Sequence, residues 1–75
     1  MNMESTVAAY NRIIEELLRE RNDKLRLLTS LEGMEKEEME SEVRGIDITL
    51  EVVRKELRNV EESVTYRMSQ MSFSP

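Results

Sequence analysis

Apolar residues recur along this chain at alternating spacings of four and three. In the first half, Met3, Val7, Tyr10, Ile14 and Leu17 follow that rule. Leu28 and Leu31 resume it in the same register, with Arg21 and Lys24 in the two places between. In the second half, Met39, Val43, Ile46, Leu50, Val53, Leu57, Val60 and Val64 keep it without a break. A strand would repeat every second residue. A 3-4 repeat instead draws one apolar stripe along a helix, and over several heptads it is the pattern of a coiled-coil or bundle seam. The predicted fold class is all-α, with one helix over about 4–32, a turn at 33–34, a second helix over about 35–69 and a flexible tail at 70–75.

The turn rests on Glu32-Gly33-Met34-Glu35. Gly33 suits the left-handed position just past a helix C-terminus, with Met34 folding back towards Leu28. Glu35, Glu37 and Glu38 then crowd the first turn of the second helix, where the macrodipole favours negative charge. Ser5 or Thr6 is the expected cap of the first helix, with Asn2 the weaker candidate. The alternative is one continuous rod, in which Gly33 would cost only about 1 kcal/mol. Glycine, acidic run and pattern restart coincide, which favours an antiparallel hairpin.

Counting outward from that turn sets residue i against a residue near 67 − i. Leu28 then faces Met39, Leu17 faces Leu50, Ile14 faces Val53, Tyr10 faces Leu57, Val7 faces Val60 and Met3 faces Val64. Each of these pairs is apolar. Arg21 is the exception, falling against Ile46 and Asp47. Two readings stand there: an Arg21–Asp47 pair that fixes register while adding little net stability, or an Arg21 that snorkels to solvent over Ile46.

Two helices sharing one seam bury each apolar side chain only partly. The chain carries more apolar surface than that seam uses. Ile13, Leu18, Leu25 and Leu27 flank the first stripe at heptad positions e and g, as on a helix inside a bundle. Ile48 and Val52 each lie two residues from Leu50, which is 200° around a helix and so nearly opposite the second stripe. The expectation is that two hairpins pair into a four-helix bundle covering the wide face of the first helix. The Ile48–Val52 patch would then seat the second subunit or another protein.

Composition removes most kinds of chemistry. There is no cysteine, histidine or tryptophan among the 75 residues. A disulfide framework, a thiolate zinc site and a His-dependent catalytic unit are therefore out of reach. Eleven Lys and Arg against sixteen Asp and Glu leave a net charge of −5, which opposes bulk attraction to phosphate backbones or anionic membranes. The longest apolar run, Val7 to Tyr10, is far short of the roughly 20 residues a membrane span needs. Met1 to Arg12 has neither the basic nor the apolar region of a signal peptide, so the expected location is cytoplasmic.

Few motifs remain. Glu35, Glu38 and Glu42 could share a helix face and hold a hard cation, but an acidic N-terminal turn explains them as well. Arg12, Arg19 and Arg26 recur every seven residues as a ridge on the outer face of the first helix. Glu15, Glu16, Glu20 and Asp23 lie close enough to neutralise it. The segment from Met68 to Pro75 loses charge and alternates serine with Met and Phe, so Met68, Met71 and Phe73 are candidates for partner contact.

No catalytic, cofactor-binding or metal site is expected, and no small-molecule substrate. The expectation is a small non-enzymatic interaction module with itself or another protein as partner. A scaffold subunit forming a longer coiled coil is one alternative. An acidic mimic of nucleic acid, blocking a nucleic-acid-binding protein, is another.

Overall fold

The computed structural model describes the backbone of residues 3–71 and the side chains of residues 4–63. Two helices, α1 over Met3–Leu28 and α2 over Gly33–Met71, fold back on one another as an antiparallel hairpin. Among the described residues there is no strand. At 1.5 Å per residue the helices run about 39 and 58 Å, so α2 outreaches α1. The molecule measures 66 × 16 × 16 Å, with a radius of gyration of 18.1 Å. A compact chain of this length would have a radius near 11 Å, so surface dominates interior throughout.

Both ends of α1 differ from the expectation. The helix starts at Met3, so Ser5 and Thr6 lie within its first turn and do not cap it, while Glu4 supplies the acidic group favoured there. It stops at Leu28, some four residues early, although Leu31 continues the apolar period. Two short polar side chains account for this. Thr29 Oγ1 donates to the Arg26 carbonyl at 2.8 Å, and Ser30 Oγ donates to the Leu27 carbonyl at 3.0 Å. The Ser30 and Leu31 amides reach back only three residues, to Leu27 and Leu28, and tighten the chain out of the α-helical ladder.

Gly33 takes the left-handed conformation, with φ of 63°, as the first residue of α2 rather than as the cap of α1. Met34 does not fold back on Leu28. It is 76% exposed, because four residues separate the helices and Met34 already belongs to the outward-facing first turn of α2.

The core is short. Among the described residues only Val43, Ile46 and Leu50 are buried, all on α2. Val7, Tyr10, Ile14, Leu17 and Leu28 on α1, Leu31 in the connection, and Met39, Val53, Leu57 and Val60 on α2 are half-buried. The 67 − i register bears on two of the three. It sets Ile46 and Val43 against Arg21 and Lys24, whose long aliphatic stems can cover a facing residue while their charged heads stay at the surface. Leu50 lies against Leu17, one turn further along the same stretch of seam. Val64 in the seam, and Met68, Met71 and Phe73 in the tail, lie outside the described side chains.

Candidate interaction surfaces

The polar contacts between the helices come first, because they fix which faces remain free. Arg21 Nε donates to Asp47 Oδ1 at 2.6 Å. Lys24 Nζ lies 3.1 Å from Glu42 Oε2 and 3.9 Å from Glu20 Oε1, bridging the helices and its own preceding turn. The Tyr10 hydroxyl donates to Glu56 Oε2 at 3.4 Å. Each inter-helix pair falls within one position of the 67 − i register. Arg21 leaves the seam on the heptad e side, whereas Lys24 and Tyr10 leave it on the g side.

Of these contacts, the Arg21–Asp47 pair is the one expected from the sequence pattern. Lys24 was legible by the same count: it faces Val43, whose neighbour Glu42 is acidic, as Arg21 faces Ile46 with Asp47 beside it. These pairs are surface pairs. The side chains of Arg21 and Asp47 retain 33% and 48% of their exposure. Contacts of this kind contribute little to stability, typically below about 1 kcal/mol, and act mainly to select register.

With the seam closed, three sets of apolar side chains remain outside it along the helices, besides the exposed Met34 at the start of α2. On the g flank of α1, Ile13 and Leu27 are exposed, with Glu20 midway between them. On the e flank, Leu25 is exposed and Leu18 half-buried. On the outer face of α2, Ile48 is 64% exposed and Val52 51%. The α2 pair is the tightest grouping, one turn apart on a single helix face. Between the helices on the g side, Ser5, Thr6, Ala9, Tyr10, Ile13 and Glu56 line an open groove of 460 Å³. It is broad and solvent-facing, with no convergent set of catalytic groups.

Two further features of the α2 face bear on contact. Gly45 lies one turn before Ile48 and Thr49, and a Cβ placed there would meet nothing within 4 Å. Nothing inside the hairpin therefore calls for glycine, and glycine costs about 1 kcal/mol against alanine in a helix interior. Thr49 Oγ1 donates to the Gly45 carbonyl at 3.0 Å, so its polar atom is satisfied locally. Gly45, Ile48, Thr49 and Val52 thus make an uncharged strip on a helix otherwise rich in charge.

Among the described residues no group of three acidic side chains is placed to hold a metal ion, so Glu35, Glu38 and Glu42 do not converge. Glu42 is instead engaged with Lys24. On the outer ridge of α1, Arg26 pairs with Asp23 at 3.8 Å. No described helix is long and apolar enough to cross a membrane. Comparison with known protein families, with curated proteins and with solved structures finds no match.

Proposed function

We infer that this chain is a small non-enzymatic interaction module that pairs with a second copy of itself and tethers, regulates or blocks a larger protein. One observation carries the reading. Among the described residues the fold buries three apolar side chains and leaves six large ones outside the seam at one-third exposure or more, namely Ile13, Leu25, Leu27, Met34, Ile48 and Val52. A hairpin 16 Å across has no interior in which to place them. Burial against other helical surfaces is the general remedy; a four-helix assembly of two coiled-coil-like hairpins supplies part of it and a larger partner the rest. The open groove and the half-exposed polar pairs offer no enclosed, desolvated site in which a carboxylate could be tuned for catalysis, which supports a binding role over an enzymatic one.

The test is solution mass against concentration, by light scattering after size exclusion, with helicity followed on dilution. Self-association predicts twice the 8.9 kDa chain mass at high concentration, with part of the helicity lost as the dimer dissociates. A fully helical 8.9 kDa species at every concentration would remove self-association from the account.

A further inference from the structure

We propose that the outer face of α2 is the surface on which the second copy docks, antiparallel and two-fold symmetric, with residue i of one α2 facing residue 93 − i of the other. This rests on the self-association proposed above and specifies which face makes it. The flanks of α1 offer scattered pairs: Ile13 and Leu27 are fourteen positions apart with Glu20 between, and Leu18 and Leu25 are seven apart on the opposite side. The α2 strip is continuous. Its positions Ser41, Gly45, Ile48, Val52 and Lys55 repeat at four and three, forming a second heptad seam on the back of the helix.

Orientation and register follow from charge. A parallel pairing would stack Lys55 on its own copy and set Glu51 against Glu56. An antiparallel pairing that centres Ile48 on Val52 would place Arg44 near Arg58 and Glu42 near Glu56. The 93 − i register sets Ile48 over Gly45 of the other copy and Lys55 beside Glu38. On one flank of the seam, where same-side neighbours sit two positions off that count, it brings Arg44 next to Glu51 and Arg58 next to Glu37, each contact occurring twice by symmetry. Like charges also meet there: Glu35 against Glu56 on the other flank, and Glu42 opposite Glu51 and Glu37 opposite Glu56 across the seam. Among the described residues, the ion pairs formed within the chain, between Arg21 and Asp47, Lys24 and its two glutamates, and Arg26 and Asp23, use none of Arg44, Glu51, Lys55 or Arg58. Opposite Ile48, the absent side chain of Gly45 allows close backbone approach, which gives that glycine the function it lacks inside the hairpin. Isologous contacts of this kind close at the dimer. Four helices then lie in the order α1, α2, α2, α1, and both α1 flanks stay open for a larger partner.

Charge reversal tests the register. Arg44→Glu and Glu51→Arg, each alone, turn two attractive contacts repulsive and should weaken dimerisation about tenfold. The double variant Arg44→Glu/Glu51→Arg restores both contacts with reversed sign and should return the dimer to near wild-type strength. The rescue cannot arise within one chain, because the two positions are about 10 Å apart along α2. Ile48→Asp should abolish the dimer at concentrations where the wild type is dimeric, with circular dichroism at high concentration reporting whether each variant stays helical. A dimer indifferent to all four variants would overturn the α2 face while leaving self-association intact. Weakening by both single reversals without rescue would overturn the register. A wild-type chain that is monomeric throughout would remove both proposals.

Discussion

The guanidinium of Arg21 holds Asp47 across the hairpin at 2.6 Å while its own stem faces Ile46, one of three buried side chains. One residue therefore closes the core and selects the register. The two roles are separable. Both charged heads are a third or more exposed, so a double-mutant cycle over Arg21→Met and Asp47→Ala should give a coupling of about 0.2–1 kcal/mol at low salt, falling as salt rises. Arg21→Met keeps an apolar stem on Ile46 and should leave stability within about 1 kcal/mol of wild type. Arg21→Ala uncovers Ile46 and should cost more than Asp47→Ala does. Chemical denaturation of the four chains checks this ordering.

Leu50 is 4% exposed, the least of any described residue. Leu50→Ala should cost about 2–4 kcal/mol, enough to unfold a hairpin with so small a core at 25 °C. Ile48→Ala, two residues away on the outer face, should leave the unfolding of a dilute, dissociated sample almost unchanged. Far-ultraviolet circular dichroism on both variants distinguishes the two faces of α2.

The two glycines should respond in opposite directions to the same change. Gly33 has φ of 63°, where a Cβ is strained, and Gly33→Ala should destabilise by about 1 kcal/mol or more. Gly33→Asn, which tolerates that conformation, should cost less. Gly45 is mid-helix with open space around it, and Gly45→Ala should raise the helical stability of the dissociated chain by up to about 1 kcal/mol. Thermal unfolding at matched concentration checks all three.

Much of this architecture is legible in the spacing of apolar residues. The unbroken period from Met39 onward marks α2, and counting from Gly33 sets Arg21 against Ile46 and Asp47. The end of α1 is not legible that way. Leu31 keeps the period, but period reports which face is apolar, not whether the backbone stays helical. The Thr29 and Ser30 side chains compete for carbonyls of the last turn and win locally. Depth within the seam is also invisible to pattern. The stripe treats Val43 and Val60 alike, yet Val43 is buried and Val60 only half-buried, because a lysine stem faces one and a valine the other. The cations at Arg21 and Lys24 look like breaks in the apolar stripe of α1. In the folded chain they lie opposite two of the three buried residues, Ile46 and Val43.

The antiparallel arrangement has a direct distance test. The chain has no cysteine, so single thiols introduced at positions 10 and 57 can carry spin labels without background. In the hairpin these sites face one another across helices whose axes are about 8–10 Å apart, so labels should report roughly 10–20 Å. A continuous rod would separate them by about 70 Å. Labelled chain diluted into unlabelled chain isolates the intramolecular distance.

The central claim is that the apolar outer face of α2 is covered by a second copy. Sedimentation equilibrium across a hundredfold range of loading concentration tests it most directly. The account predicts a weight-average mass rising from the 8.9 kDa chain towards twice that value, fitted by one dissociation constant. A mass fixed at 8.9 kDa over the whole range, with helicity undiminished, would contradict it.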